Sequence, residues 1–480
     1  LDLVSFVNGI PVATVELKTD FTQPIANAVN QYRFDRNPAG EPLFAFAKRS
    51  LVHFVVSNNE VRMTTKLAGV GTRFLPFNQG YDQGAGNPPN PAGSASSYFW
   101  EELLQRDAWL QVLGSFVHLQ VEVDVDPDTG KKTRSEKILF PRYHQWRAVN
   151  RLVAASRSEG AGSRYLVQHS AGSGTTNSIA WLAHRLSQLH DEQNEKVFDT
   201  VVVVTDRTVL DKQLQDAIGQ FEKHAGVVQS ITRESGESKS TELAAALSGG
   251  KQIVIVTIQT FEALITAIQS KPELQGRRFA VIADEAHSSQ TGSTAGALTK
   301  VLSPQEQAAV AEGAPIDSEA YLQWAMEVTA NASNISYFAF TATPKPKTLE
   351  LFGQIPDGAE TPEPFDLYSM QQAIEEGFIL DVLQNYTPYK VAWQLQHPGS
   401  DYDGPGEVDE STAVKALVQY VRLHPTNISQ KAKIVVDHFR AIESRAHLFG
   451  GPRRDLHQGQ QQDGVQPFAR ERFRSDGEIV

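Results

Sequence analysis

The chain has 480 residues, 40% of them hydrophobic and 21% charged, the balance of a globular protein long enough for two or three cores. It has no cysteine, which excludes disulfides and thiolate metal sites and suits the cytoplasm. Its net charge of −12 excludes a uniformly basic coat for nucleic acid but leaves room for local basic grooves. No apolar run of membrane-spanning length and no leader-like start occurs, so no membrane partner is expected; opening at Leu1 inside a strand-like run, the chain reads as a fragment.

Up to residue 66, β-rich runs (LVSFV, VATVELK, LVHFVVS, EVRMTT) flank one amphipathic helical stretch, PIANAVNQYRFDR, which together read as a small α/β unit placed at 1–79. Its chemistry lies in Asp2, Glu16 and Lys18. In a strand, positions 16 and 18 share a face, so two carboxylates and a lysine can converge as a Mg²⁺ hydrolase site. Asp2 and Glu16 would bind the metal, while Lys18 positions water and offsets phosphate charge. A bare Glu-x-Lys is also what a surface strand shows, and hairpin geometry separates the two. A plain two-residue turn at Asn8-Gly9 sets Asp2 opposite Val15, whereas a bulge or three-residue loop sets it opposite Glu16; the second arrangement is expected.

Residues 80–139 are read as a connecting region. It opens with an exposed Gly/Pro/Asn/Ser loop over 80–97, continues with a helical pattern from Tyr98, FWEELLQRDAWLQVLGSFVHL, and ends on the turn-rich DVDPDTGKKT. From 140 to 345 a helix, FPRYHQWRAVNRLVAA, leads into buried-strand candidates YLVQHS, VVVVT, IVIVTI, FAVIADEA and YFAFTAT. Helical segments such as SIAWLAHRLSQLH and TELAAALS separate them, the alternation of a parallel α/β sheet covered on both faces. Residues 346–449 are read as a connector and the start of a further lobe, with helices at KALVQYVRLH and KAKIVVDHFRAIESRAHLF, and 450–480 as a disordered or aberrant tail.

In SAGSGTTNS, between a strand and a helix, Gly172, Ser173 and Gly174 would let the backbone close around phosphate, and Thr176 would supply a hydroxyl for Mg²⁺. Thr175 stands where a phosphate-binding lysine belongs. Alone the stretch is equally a Gly/Ser turn. Its companions favour phosphate: Asp284 and Glu285 at one strand end, for Mg²⁺ and for the attacking water, Thr341 and Thr343 at another, and Gln145 as an adenine reader.

With these stretches in this order, VTDRTVLDKQL and VTIQTF included, the chain resembles the superfamily 2 helicases and translocases. The resemblance implies a RecA-like motor lobe in which ATP hydrolysis drives motion on DNA. It implies DNA contact or coupling for Thr205, Arg207, Thr257, Gln259, His287, Thr341 and Thr343. The front segment, with Gln31-Tyr32 on its helix, is similar to the PD-(D/E)xK nuclease region of type I restriction enzyme R subunits, which carry such a nuclease ahead of such a motor. That resemblance, over roughly residues 1–395, implies ATP and Mg²⁺ as cofactors. Double-stranded DNA and the modification and specificity subunits are the partners it implies, and cleavage coupled to translocation the activity. Three departures bear on activity: Thr175 carries no charge, no second RecA-like lobe is legible, and Tyr32 directly follows Gln31 where the family spaces them by four. A stand-alone helicase and a non-catalytic DNA- or methyltransferase-binding remnant are the other readings.

Overall fold

The computed structural model describes residues 1–19, 23–125, 132–205, 208–221, 226–231, 239–257, 265, 267–268, 271–274, 276–284, 289–290, 316–317, 333–356, 358 and 360–381. The helices expected beyond residue 381, the tail and the question of a second lobe lie outside the described residues. No helix among the described residues is long and apolar enough to cross a membrane.

The front unit is a five-stranded mixed sheet in the order β1 (Leu3–Val7), β2 (Ile10–Leu17), β3 (Val52–Val56), β4 (Val61–Thr64), β5 (Leu75–Pro76). Only β2 and β3 run parallel, and α1 (Ile25–Asn30), prolonged by a π-turn over Gln31–Asp35, makes the crossover between them. Asn8 and Gly9 form the β1–β2 turn at φ +49° and +79°, the positive angles that a two-residue hairpin requires. A bulge then leaves Val12 unpaired, between the pairs Ser5–Ala13 and Phe6–Pro11.

The stretch after Gln79 differs from the exposed connection expected. Ser96 is buried and donates to the Ser57 carbonyl at 2.6 Å, and the Ala85 N–H meets Glu375 at 2.7 Å, so this loop is fastened at both ends. The helical pattern beyond it is a π-turn (Phe99–Leu103), α2 (Arg106–Gln111) and a second π-turn (Val112–Phe116). Helix was expected through Leu119, but His118 opens β6 (His118–Val125), which pairs antiparallel with β7 (Lys132–Leu139). The alternation in HLQVEVDV has period two, and the ladder with β7 takes it.

The second sheet is seven-stranded and wholly parallel, the α/β architecture expected of a RecA-like lobe. In chain order, α3 (Tyr143–Glu159) precedes β8 (Arg164–His169), α4 (Thr175–Ser187), β9 (Thr200–Thr205), α5 (Thr208–Gln220), β10 (Val228–Ser230), α6 (Lys239–Ser248), β11 (Ile253–Thr257) and β12 (Phe279–Ala283). A short β13–β14 pair (Ser289–Gln290, Ile316–Asp317) stands apart, and β15 (Ile335–Thr341), α7 (Pro346–Phe352), β16 (Asp366–Tyr368) and α8 (Met370–Glu375) complete the series. The spatial order is β10-β11-β9-β12-β15-β8-β16, so the sheet runs past residue 345, where sequence placed its end, and takes β16 as its edge. Val201 and Val203 face one apolar core while Val202 and Val204 face another, which is why the strand reads as an unbroken apolar run.

One core joins the two sheets. Val15, Phe54 and Phe77 of the front unit, Phe99, Trp109 and Phe116 of the connecting region, and Trp181, Val201 and Phe338 of the parallel lobe belong to a single buried cluster.

Candidate functional site

Because the seven strands are parallel, their carboxyl ends share one edge. Thr205 and Thr257 end β9 and β11 and pair in register. Thr341 ends β15 opposite Gln168, and Asp284 follows β12 with its N–H on the Val204 carbonyl at 3.2 Å. The loop over 170–174 leaves β8 at the same edge. The structure thus gathers Thr205, Thr257, Asp284, Thr341 and the loop over 170–174, with Thr343 exposed two residues farther on. Arg207, Gln259, Glu285 and His287 lie outside the described residues.

The loop is shaped from behind. Gly172 and Gly174 adopt φ +75° and +78°, and at Gly174 an added methyl would stand 2.7 Å from the Gln145 amide nitrogen, so glycine is required there. Arg142 Nη2 donates to the Gly172 carbonyl at 3.0 Å. His144 Nε2 and Gln145 Nε2 each meet the Ser173 carbonyl at 3.1 Å, and Gln145 Nε2 also donates to Gly174 at 3.0 Å. With those carbonyls held by the protein, the N–H groups of Gly174, Thr175 and Thr176 have no acceptor among the described residues. They head a 13-residue helix, an arrangement whose free N–H groups and helix dipole can accept an anion. Thr175 and Thr176 are half-buried at its first two positions, so the place where a lysine was expected holds a hydroxyl and no charge.

Gln145 is buried at 3% exposure, and its Oε1 accepts the Arg142 N–H at 2.9 Å. Both amide hydrogens serve the loop, so an adenine would find only the remaining acceptor capacity of Oε1.

Sequence reasoning missed a layer of buried charge beneath the loop. The Asp366 carboxylate, opening β16, accepts two bonds from Arg147 at 3.0 and 3.1 Å, one from Arg151 at 2.9 Å, and one from His169 Nε2 at 2.9 Å. Burial acts to raise its pKa, but His169 and Arg147 outweigh that and hold it at about 2. The Tyr368 carbonyl takes the Ser170 N–H at 2.9 Å, and the Tyr368 ring stacks on His144, centroids 3.8 Å apart and planes 20° apart. Burial pushes the His144 pKa well down, so the ring is neutral and its Nε2 donates to the Ser173 carbonyl. Asp366 and His169 are 197 residues apart, and no local motif announces the bond.

In the front unit, the bulge brings Asp2 into register opposite Glu16, one step beyond the Leu3–Val15 pair. The Asp2 N–H reaches the Val15 carbonyl at 3.2 Å, and its carboxylate accepts the Leu17 N–H at 2.6 Å. Glu16 is almost fully buried, its Oε1 held by Arg36 Nε at 3.1 Å and Nη2 at 2.5 Å. Lys18 is half-buried just past the strand, with its N–H on the Val56 carbonyl at 2.9 Å. Thr14, two residues before Glu16 on β2, bonds the Tyr32 hydroxyl and His53 Nδ1, each at 2.7 Å, and burial lowers His53 to about 4. Gln31 Oε1 is buried without a partner among the described residues. No group of three or more His, Cys, Asp or Glu side chains is placed for a metal among the described residues. The two carboxylates expected to bind Mg²⁺ are each engaged within the protein, Asp2 by the Leu17 N–H and Glu16 by Arg36; as hard oxygen donors their chemistry suits that ion.

The sequence pattern of the SWI2/SNF2 ATPase family matches residues 144–403, and that of the type I restriction enzyme R protein N terminus matches residues 1–70. The type I restriction enzyme HindI endonuclease subunit of Haemophilus influenzae is 25% identical over 414 residues, 84% of this chain and 34% of the relative. The subunit designated MjaVIIIP in Methanocaldococcus jannaschii is 22% identical over 409 residues, 80% of this chain and 34% of the relative. A solved fragment of an HsdR subunit of a type I restriction enzyme from Vibrio vulnificus is 16% identical, with 76% of this chain and 49% of that one covered and a TM-score of 0.28. The chain spans about a third of the length of the curated relatives it matches. It belongs to the SWI2/SNF2 ATPases and, with an R-protein N-terminal region ahead of that ATPase, is like the R subunits of type I restriction enzymes.

Proposed function

We propose that the chain is the nuclease and first motor lobe of a type I restriction enzyme R subunit, acting in ATP-dependent translocation on double-stranded DNA coupled to Mg²⁺-dependent cleavage. The observation that carries this reading is the loop over 170–174. Its carbonyls are tied back by Arg142, His144 and Gln145, its N–H groups head α4, and it shares the sheet edge with Asp284. In this reading Gly172, Ser173, Gly174, Thr175 and Thr176 hold the ATP phosphates, Gln145 lies toward the adenine, and Asp284 and Glu285 serve the Mg²⁺ and the attacking water. Thr205, Arg207, Thr257, Gln259, His287, Thr341 and Thr343 meet DNA or couple it to the nucleotide. Residues 1–79 are the nuclease domain, where Asp2 and Glu16 hold Mg²⁺, Lys18 orients water, and Gln31 lies toward the DNA. Bound Mg²⁺ would supply Lewis-acid polarisation of the phosphodiester, and ATP the free energy for movement. Modification and specificity subunits would supply target recognition, as the endonuclease-subunit relatives favour.

Thr175 sets the level of activity. A lysine–phosphate contact is worth about 1.5–3 kcal/mol, roughly tenfold to a hundredfold in affinity, so this chain binds ATP weakly and turns it over little. That observation also favours the non-catalytic reading for this sequence. Calorimetric titration with ATP and Mg²⁺ separates the two: Thr175→Lys should tighten binding at least tenfold and start hydrolysis. Equal affinity in both chains would remove the loop from the nucleotide site. Plasmid cleavage with Mg²⁺, lost in Lys18→Ala, is the corresponding check on the front unit.

A further inference from the structure

The phosphate loop has two supports, and one side chain joins them. β8 delivers the chain into the loop, and its last residue is His169. The start of α3 holds the loop from the other side, through His144, Gln145 and the preceding Arg142. Asp366 bonds both elements: His169 at the end of β8, and Arg147 and Arg151 on the first turns of α3. Two residues on, Tyr368 takes the Ser170 N–H through its carbonyl and stacks its ring on His144.

A three-residue edge strand needs no such charge to dock. The Asp366 side chain has 0% exposure, and burying a carboxylate costs several kcal/mol unless donors surround it. Apolar residues would hold β16 at lower cost, but they would not fix the angle between β8 and α3. A carboxylate with four donors in defined directions does fix it.

We propose that Asp366 is a positioning residue for the phosphate loop: it locks β8 against α3, and through Tyr368 and His144 it keeps the Ser173 carbonyl turned away from the phosphate. The proposal rests on reading this loop as a phosphate cradle. It adds that the cradle's affinity is set from a strand far downstream, outside any nucleotide motif. Asp366 touches no phosphate; it acts through the groups that shape the loop.

The test measures binding of inorganic pyrophosphate and of ATP by calorimetry, in the full chain and in Thr175→Lys. Asp366→Asn keeps the shape and removes the charge. His144→Phe keeps a ring over Tyr368 and removes the donor to Ser173, whereas His144→Gln restores a donor. Both Asp366→Asn and His144→Phe should weaken pyrophosphate and ATP about tenfold, the order expected for one lost hydrogen bond in the cradle, and His144→Gln should recover most of it. His144→Phe and His144→Gln should melt alike, which places the difference in binding and not in folding. Parental affinity in a folded Asp366→Asn chain, or equal binding by the two His144 variants, overturns the proposal. If Asp366→Asn does not fold, the His144 pair decides. If neither parent binds pyrophosphate or ATP, the cradle reading itself fails, a result distinct from a bound parent with indifferent variants.

Discussion

The buried Glu16 carboxylate is met by Arg36, whereas His53, bonded to Thr14 on the same strand, is kept neutral by its burial. Burial holds His53 at about 4 against an ordinary 6.5. In the unfolded chain it protonates as pH falls through 6.5, so stability is complete above that value and declines until pH reaches about 4. The shift corresponds to about 3 kcal/mol. His144, also held well below its ordinary value by burial, adds to the same descent. Asp366 has the acidic counterpart: held at about 2 against 3.8, its contribution is intact above about pH 4 and lost as pH falls toward 2. Melting curves from pH 7 to 2 should therefore fall in two stages, and His53→Gln should flatten the upper one. An unchanged upper stage would mean that His53 is protonated in the folded chain. Gly172, Gly174 and Asp284 could be singled out in sequence because each sits in a short local pattern at a strand end, and the structure brings them to one sheet edge. Asp366, His144 and His169 were not legible, since the His169–Asp366 bond spans 197 residues, the His144–Ser173 bond 29, and each residue type is ordinary in its own stretch.

Among elements, the hairpin of β1 and β2 shows how pairing decides chemistry. The turn has two residues, and only the bulge at Val12 brings Asp2 opposite Glu16 and not Val15. Parity made that bulge legible beforehand, because only one side of a strand can hold both carboxylates. Replacing Asn8 and Gly9 together with alanine strains both positive-φ positions, costing about 1–2 kcal/mol each. Melting temperature should drop, and Mg²⁺ affinity of the front unit with it. Retained metal affinity in a clearly destabilised double variant would detach the metal from this register. Two other elements were not legible. The helical reading ran through Leu119 because HLQVEVDV follows a helix without a turn signal, and its pairing with β7 across a separate segment decides it. β16 is three residues long, too short for periodicity to reveal, and it docks through Asp366 and the β8 ladder.

At the scale of the molecule, the front sheet and the parallel lobe share one core. Trp181, on the helix that starts at the phosphate loop, packs on Phe116 with ring centroids 5.4 Å apart and donates its indole N–H to the Phe116 carbonyl at 3.0 Å. Phe54 of the front sheet meets Phe99, Trp109 and Phe140. Truncating Trp181 to alanine should cost about 3–5 kcal/mol. Because the core is common, unfolding followed in the front unit and in the lobe should coincide, in the variant as in the parent. Separate transitions would show two independent cores. The joint between the sheets also bears on descent. The boundaries expected from sequence at 79 and 139 do not divide the packing, so a recombination breakpoint at either place would leave each product with an open aromatic face. An exchange that moved either sheet intact would have to carry both together, and the order of R-protein N-terminal region and ATPase lobe would be inherited as one piece.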